Sequence, residues 1–231
     1  MTIHLNSLGI IASASIAALS LVIGPTAQAQ TFIGNFNGTI KDATTITFGG
    51  MDYTAVQTEN VLFDNFNFDG TFFGDDLEIG FSSLINQYFF DFNPVPSPDA
   101  INGSFSYDIT GDQTVLPNGN VVTTLFNFAA LDSDVQGPGV YQVTKNVITS
   151  EGQVINLTST NGSTDDSAVI PLARTLRITD SLSSNGDVIF SLTNSYTTVE
   201  EFTPAGVPEP GTMIGLLVIG AAGLATRRKV S

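Results

Sequence analysis

An all-β body, folded as an antiparallel sandwich or jelly roll and flanked by an apolar helix at each end, is the architecture this sequence predicts. Three observations carry it. Apolar and polar residues alternate in many short runs rich in β-branched and aromatic side chains, as half-buried strands require. Asn-Gly and Asp-Gly pairs punctuate those runs, and such pairs accept the positive φ of tight turns. No stretch between residues 31 and 200 carries an apolar stripe of helical period.

Taken in chain order, residues 1–29 read as a secretory signal peptide. A short polar start precedes an apolar stretch from Leu8 to Gly24, Pro25 breaks it, and Ala27 and Ala29 supply the small residues of a cleavage site. The body is expected over residues 30–200. Its alternating runs are TTITF (44–48), FDNFNF (63–68), SFSYDIT (104–110), TLFNF (124–128), YQVTKNV (141–147), TLRIT (175–179) and DVIFSL (187–192). Turns are expected at Asn37-Gly38, Asp69-Gly70, Asn102-Gly103, Asn118-Gly119, Asn161-Gly162 and Asn185-Gly186. The segment NPVPSPDA (93–100) is too proline-rich for a central strand and reads as a crossover loop between sheets. TSTNGSTDDS (158–167) reads as a polar loop, and residues 201–207 as a linker.

Composition excludes several kinds of chemistry. The only histidine, His4, falls inside the expected signal, and there is no cysteine. The body therefore has no material for Ser-His-Asp or Cys-His catalysis, nor for a His/Cys zinc site. Without disulfides, the fold rests on its apolar core. Residues 30–207 carry 21 acidic side chains against four basic ones, Lys41, Lys145, Arg174 and Arg177, for a formal charge of −17. Such a surface repels nucleic acid and anionic lipid headgroups, which excludes nucleic acid as a partner.

One internal stretch approximates a calcium loop. In NFNFDGTFFGDD (65–76), Asn65, Asn67 and Asp69 occupy alternate positions, Gly70 follows, and Asp76 lies six residues further on. Alternating oxygen donors around a sharp glycine turn are what calcium needs. The simpler reading is an Asp-Gly hairpin with Phe66 and Phe68 facing the core. Calcium is the only cofactor the residues suggest; otherwise none is expected. A carbohydrate-binding surface would have Tyr53, Tyr88, Tyr107, Tyr141 and Tyr196 as its polar aromatics, since tryptophan is absent. A carboxylate-based glycoside hydrolase is chemically open, but no pair is marked among the many acidic residues.

The last residues, VPEPGTMIGLLVIGAAGLATRRKVS, are of a different kind. Pro208, Glu209 and Pro210 favour extended backbone. Residues 211–226 are uncharged and largely apolar, and as a helix would span about 24 Å against a bilayer core of roughly 30 Å. Arg227, Arg228 and Lys229 follow as charges that stop transfer and stay on the cytoplasmic side. In this order, triplet, short span and basic cluster over 208–231 resemble the PEP-CTERM sorting signal of Gram-negative bacteria. The resemblance implies recognition of Pro208-Glu209-Pro210 by an exosortase, a membrane-embedded cysteine enzyme that removes or transfers the tail. It also implies a transient stay at the inner membrane and association with exopolysaccharide and biofilm matrix. The expected protein is not an enzyme. It is an exported structural or adhesive component of the envelope or matrix, with a calcium- or carbohydrate-binding module as the alternative and a hydrolase as the second.

Overall fold

The computed structural model describes residues 30–94, 99–137, 139–161 and 166–205. The expected signal helix, with Ala27 and Ala29, and the whole tail, with Pro208, Glu209, Pro210, Arg227, Arg228 and Lys229, lie outside these residues. Sixteen strands are found within them. In the first part of the chain they are β1 (Thr31–Ile33), β2 (Phe36–Asp42), β3 (Thr45–Phe48), β4 (Met51–Tyr53), β5 (Ala55–Thr58), β6 (Val61–Phe68), β7 (Gly74–Leu84) and β8 (Gln87–Pro94). The second part contributes β9 (Gly103–Gly111), β10 (Gln113–Val115), β11 (Val121–Gln136), β12 (Val140–Thr149), β13 (Val154–Thr160), β14 (Asp166–Ala173), β15 (Thr175–Asn185) and β16 (Val188–Thr203). Among the described residues the one helical element is a single 3-10 turn, Gly70–Phe72.

These strands form two sheets. One has the order β1-β5-β6-β9-β15-β12-β13, the other β10-β11-β16-β8-β7-β2-β3-β4, with β14 also paired to β11. Pairing is antiparallel except between β1 and β5. The proline-rich segment connects β8 in one sheet to β9 in the other, as a crossover between sheets should. Both halves of the chain feed one core.

Alternation positions that core. On β9 the inward residues are Phe105, Tyr107 and Ile109, and on β8 they are Tyr88, Phe90 and Phe92. Their rings meet between the sheets: Phe90 lies 5.1 Å from Phe105 and 5.0 Å from Tyr107 by ring centroid, and 5.1 Å from Phe81 of β7. These distances suit tilted aromatic packing. In a chain without disulfides, this aromatic layer is the main adhesive between the sheets.

Several expected boundaries change. Asn37-Gly38 lies inside β2 and is no turn: both residues pair with β7, and the β3 backbone at Thr47 leaves no room for a Cβ at Gly38. Asp69-Gly70 closes no hairpin: Asp69 caps the 3-10 turn by accepting the Thr71 amide at 3.2 Å. Asn102-Gly103 leads into β9, and Asn118-Gly119 does turn the chain between β10 and β11, with Gly119 at φ +80°. Two-residue reversals fall elsewhere, at Gly49-Gly50 between β3 and β4, at Glu59-Asn60 between β5 and β6 and at Ile85-Asn86 between β7 and β8. The 158–167 loop is shorter than its composition suggests, since β13 runs to Thr160 and β14 starts at Asp166. The expected linker also begins too early: β16 continues to Thr203, where it pairs with Val121.

Candidate functional site: a polar row on the outer face

The outer face of the first sheet carries a row of charges built by strand register. Asp64 of β6 stands opposite Asp108 of β9, and Asp108 stands opposite Arg177 of β15. Just past Asp64, β6 is bulged before Asn67. Before the bulge Val61 and Phe63 point inward; after it Phe66 and Phe68 do. The extra residue turns Asn65 outward, at φ +52°, where its amide donates to Asp108 Oδ2 at 3.0 Å. Arg177 grips the same carboxylate with two bonds, Nε to Oδ1 at 2.9 Å and Nη2 to Oδ2 at 3.1 Å.

The electrostatics follow from these contacts. The Arg177 guanidinium, helped by the Asn65 amide and opposed by partial burial, holds the Asp108 carboxyl below its ordinary value. Asp64 is pushed upward, first by burial and then by the charge of Asp108. A concavity of about 560 Å³ opens on the Asp64 side of the row, lined by Thr31, Thr44, Thr54, Leu62 and Asn65 among others. A second, of about 240 Å³, opens on the Arg177 side against Ile148, Thr149, Ser150 and Thr175. The row thus separates two shallow polar hollows rich in hydroxyl groups.

Of the calcium-loop residues, Asn65, Asn67 and Asp69 do not share one environment. Asn65 belongs to the Asp108 row, Asn67 is exposed on β6, Asp69 caps the 3-10 turn, and Asp76 is a residue of β7. Among the described residues no group of three or more carboxylates gathers as a metal site. All five tyrosines are buried, so none of them offers a ring to a glycan.

A second polar cluster lies in the core itself. Lys145 of β12 and Asp180 of β15 are directly opposed in register, and both are buried. Lys145 Nζ crosses the sandwich to donate to the Ala130 carbonyl of β11 at 2.9 Å, and it lies 4.3 Å from the centroid of the Tyr196 ring. Asn194 of β16 donates through Nδ2 to Asp180 Oδ2 at 2.6 Å and to the Tyr107 hydroxyl at 3.1 Å. The Tyr107 and Tyr196 hydroxyls share a hydrogen bond of 2.7 Å. Buried Oδ1 atoms on Asp180 and Asn194 have no hydrogen-bond partner among the described residues. Desolvation pulls the lysine down to about 7 and pushes the aspartic acid up to about 6, so both move toward their uncharged forms.

Composition alone does not reveal this cluster, but phase does. Lys145 follows Tyr141 and Val143 at the inward positions of β12, and Asp180 follows Leu176 and Ile178 on β15. A charge in the apolar phase of a strand is the signal that would have found it.

Comparison with known proteins adds the following. Residues 206–229 match the PEP-CTERM protein-sorting motif, the signal by which an exported protein is handed to an exosortase. None of the curated proteins matches the chain. A solved structure similar to it is TmCBM61 in complex with β-1,4-galactotriose. The two are 10% identical, the match covers 59% of this chain and 88% of that one, and the TM-score is 0.30.

Proposed function

Taking as premise that the C-terminus carries an exosortase-sorting signal, we propose that the β-sandwich is a non-enzymatic structural or adhesive component of the cell surface or extracellular matrix. The sorting motif at 206–229 is the observation that carries this reading. The chain is exported and held at the inner membrane by the 211–226 span. Exosortase reads Pro208-Glu209-Pro210, and the tail with Arg227, Arg228 and Lys229 is removed. The body supports a role without turnover. Its aromatic residues are largely spent on the core, and the one carboxylate in the outer row with a strongly engaged environment, Asp108, accepts three hydrogen bonds. An acid or base so engaged is poorly placed to exchange protons with a substrate.

The test replaces Pro208, Glu209 and Pro210 with alanine, then follows fractionation and intact mass of the native protein. The wild type should leave the inner membrane as a shortened chain, and the variant should stay there at full length. Equal mass and location for the two would remove the sorting reading.

The two hollows that flank the row of Asp64, Asp108 and Arg177 favour a second reading, a carbohydrate-binding module for which exopolysaccharide is the natural ligand. Hydroxyl-lined hollows and a fixed guanidinium suit sugar hydroxyl groups. Polysaccharide pull-down that is lost in Arg177→Ala would support it. Calorimetry with Ca²⁺ should stay flat at millimolar metal, since Asn65 is committed to Asp108 and Asp69 to the cap of the 3-10 turn.

A further inference from the structure

The core cluster holds an amine, a carboxyl group and a carboxamide in one buried site. We infer that Lys145 and Asn194 are joined by an intramolecular amide bond, formed with Asp180 as the proton-transferring group, that fastens β12 of one sheet to β16 of the other. The three residues come from three strands, and register brings them together. Lys145 faces Asp180 across the β12–β15 ladder. Ala130, whose carbonyl receives the Lys145 amine, pairs with Ser195, the residue next to Asn194. The lysine therefore already reaches the opposite sheet, one strand from Asn194, a separation of about 4.8 Å between neighbouring strands. Asp180, which faces Lys145 in register, is bonded to Asn194, so the amine and the carboxamide flank one carboxyl group. Asp180 is already hydrogen-bonded to the nitrogen that must leave.

The chemistry balances without any co-reactant. The neutral amine of Lys145 adds its electron pair to Cγ of Asn194. The Asp180 carboxyl supplies a proton to the carboxamide and takes one from the attacking nitrogen. The Cγ–Nδ2 bond then breaks, Nδ2 departs as ammonia, and Asp180 is left in its starting form. One secondary amide replaces one primary amide and one amine, with no change of oxidation state. The environment favours each step. Desolvation shifts both the amine and the acid toward their uncharged forms, which are the reactive ones. The surrounding Tyr107 and Tyr196 rings, both buried, exclude the water that would compete. The unpartnered Oδ1 atoms of Asp180 and Asn194 mark a site whose polar groups are not settled by hydrogen bonds alone. In an exported chain without cysteine, such a bond would do the work of an inter-sheet disulfide.

The experiment is peptide mapping of the purified full chain after denaturation and trypsin digestion. Cross-linked Lys145 resists trypsin, so the expected product is a branched peptide joining the Lys145 and Asn194 segments, lighter by one ammonia than its two parts. Linear peptides cut after Lys145 would overturn the proposal. A branched species lighter by one water would also overturn it, since that identifies Asp180 as the acceptor. The wild-type map decides the matter whether or not any variant folds. Asp180→Asn, with folding checked by circular dichroism, should give linear peptides only. A cross-link that persists in that variant would overturn the role given to Asp180.

Discussion

Replacing Gly38 with alanine tests the sandwich where sequence and structure disagree most sharply. Asn37-Gly38 has the composition of a turn, yet Gly38 sits inside β2 beside β3. A Cβ built there would lie 2.2 Å from the Thr47 carbonyl oxygen and 2.7 Å from Cζ of Phe36. The first neighbour is backbone and cannot rotate aside, and the Phe36 ring is held by Phe81 and Tyr53. Two opposing effects are at stake. Alanine restricts the unfolded chain, which favours folding by about 0.4–1 kcal/mol at a compatible site. Relieving the overlap moves β3 off β2, and overpacking of this kind costs about 1–3 kcal/mol. The overlap wins, and Gly38→Ala should lose about 2 kcal/mol. Gly70→Ala is the matched control, since the nearest atom to its Cβ is 3.8 Å away. That variant should range from neutral to about 1 kcal/mol more stable. Urea unfolding followed by far-ultraviolet circular dichroism measures both. A Gly38→Ala midpoint equal to or above the wild type would refute the close approach of β2 and β3.

Three further substitutions probe other parts of the fold. The folded-state pKa of Asp64 is raised, so its contribution is most favourable below the unfolded carboxylate value and declines as pH rises through the folded one. Asp64→Asn should therefore be more stable than wild type at neutral pH, by less than about 1 kcal/mol given its partial exposure, with the gap closing in acid; urea midpoints at both pH values check this. Ile85 is 83% exposed at φ +37°, an uncommon conformation for a β-branched residue. Ile85→Asn should raise stability by about 1 kcal/mol, and an unchanged or lower melting temperature would count against a strained β7–β8 turn. Tyr107→Phe strands the Tyr196 hydroxyl and removes one acceptor from Asn194. A loss of about 1–3 kcal/mol is expected in the same unfolding assay, and no loss would mean the core network is not stabilising.

Much of the architecture can be read from alternation alone. YQVTKNV and TLRIT each lie within a single strand, β12 and β15, because a period of two places Tyr141, Val143 and Val147, or Leu176 and Ile178, on one face whatever the sheet's topology. The tail is equally legible, since the sorting motif at 206–229 is a matter of local sequence. Turn positions are less so. Glu59-Asn60 and Ile85-Asn86 close hairpins without a glycine, with Glu59, Ile85 and Asn86 at positive φ, whereas Asn37-Gly38 is taken into the ladders of β2.

Strand-forming alternation, the lack of any thiol or imidazole over residues 30–231, and the sorting motif at 206–229 are all present in the unfolded chain. Each of these depends on residue type or on spacing within one segment. Tertiary structure decided which residues meet. Asp64, Asp108 and Arg177 form a row only because β6, β9 and β15 are neighbours with those residues in register. Lys145, Asp180 and Asn194 converge only because the two sheets face one another with those strands in register. Both arrangements join residues distant in the chain, and strand pairing across such distances is set by how the whole core packs.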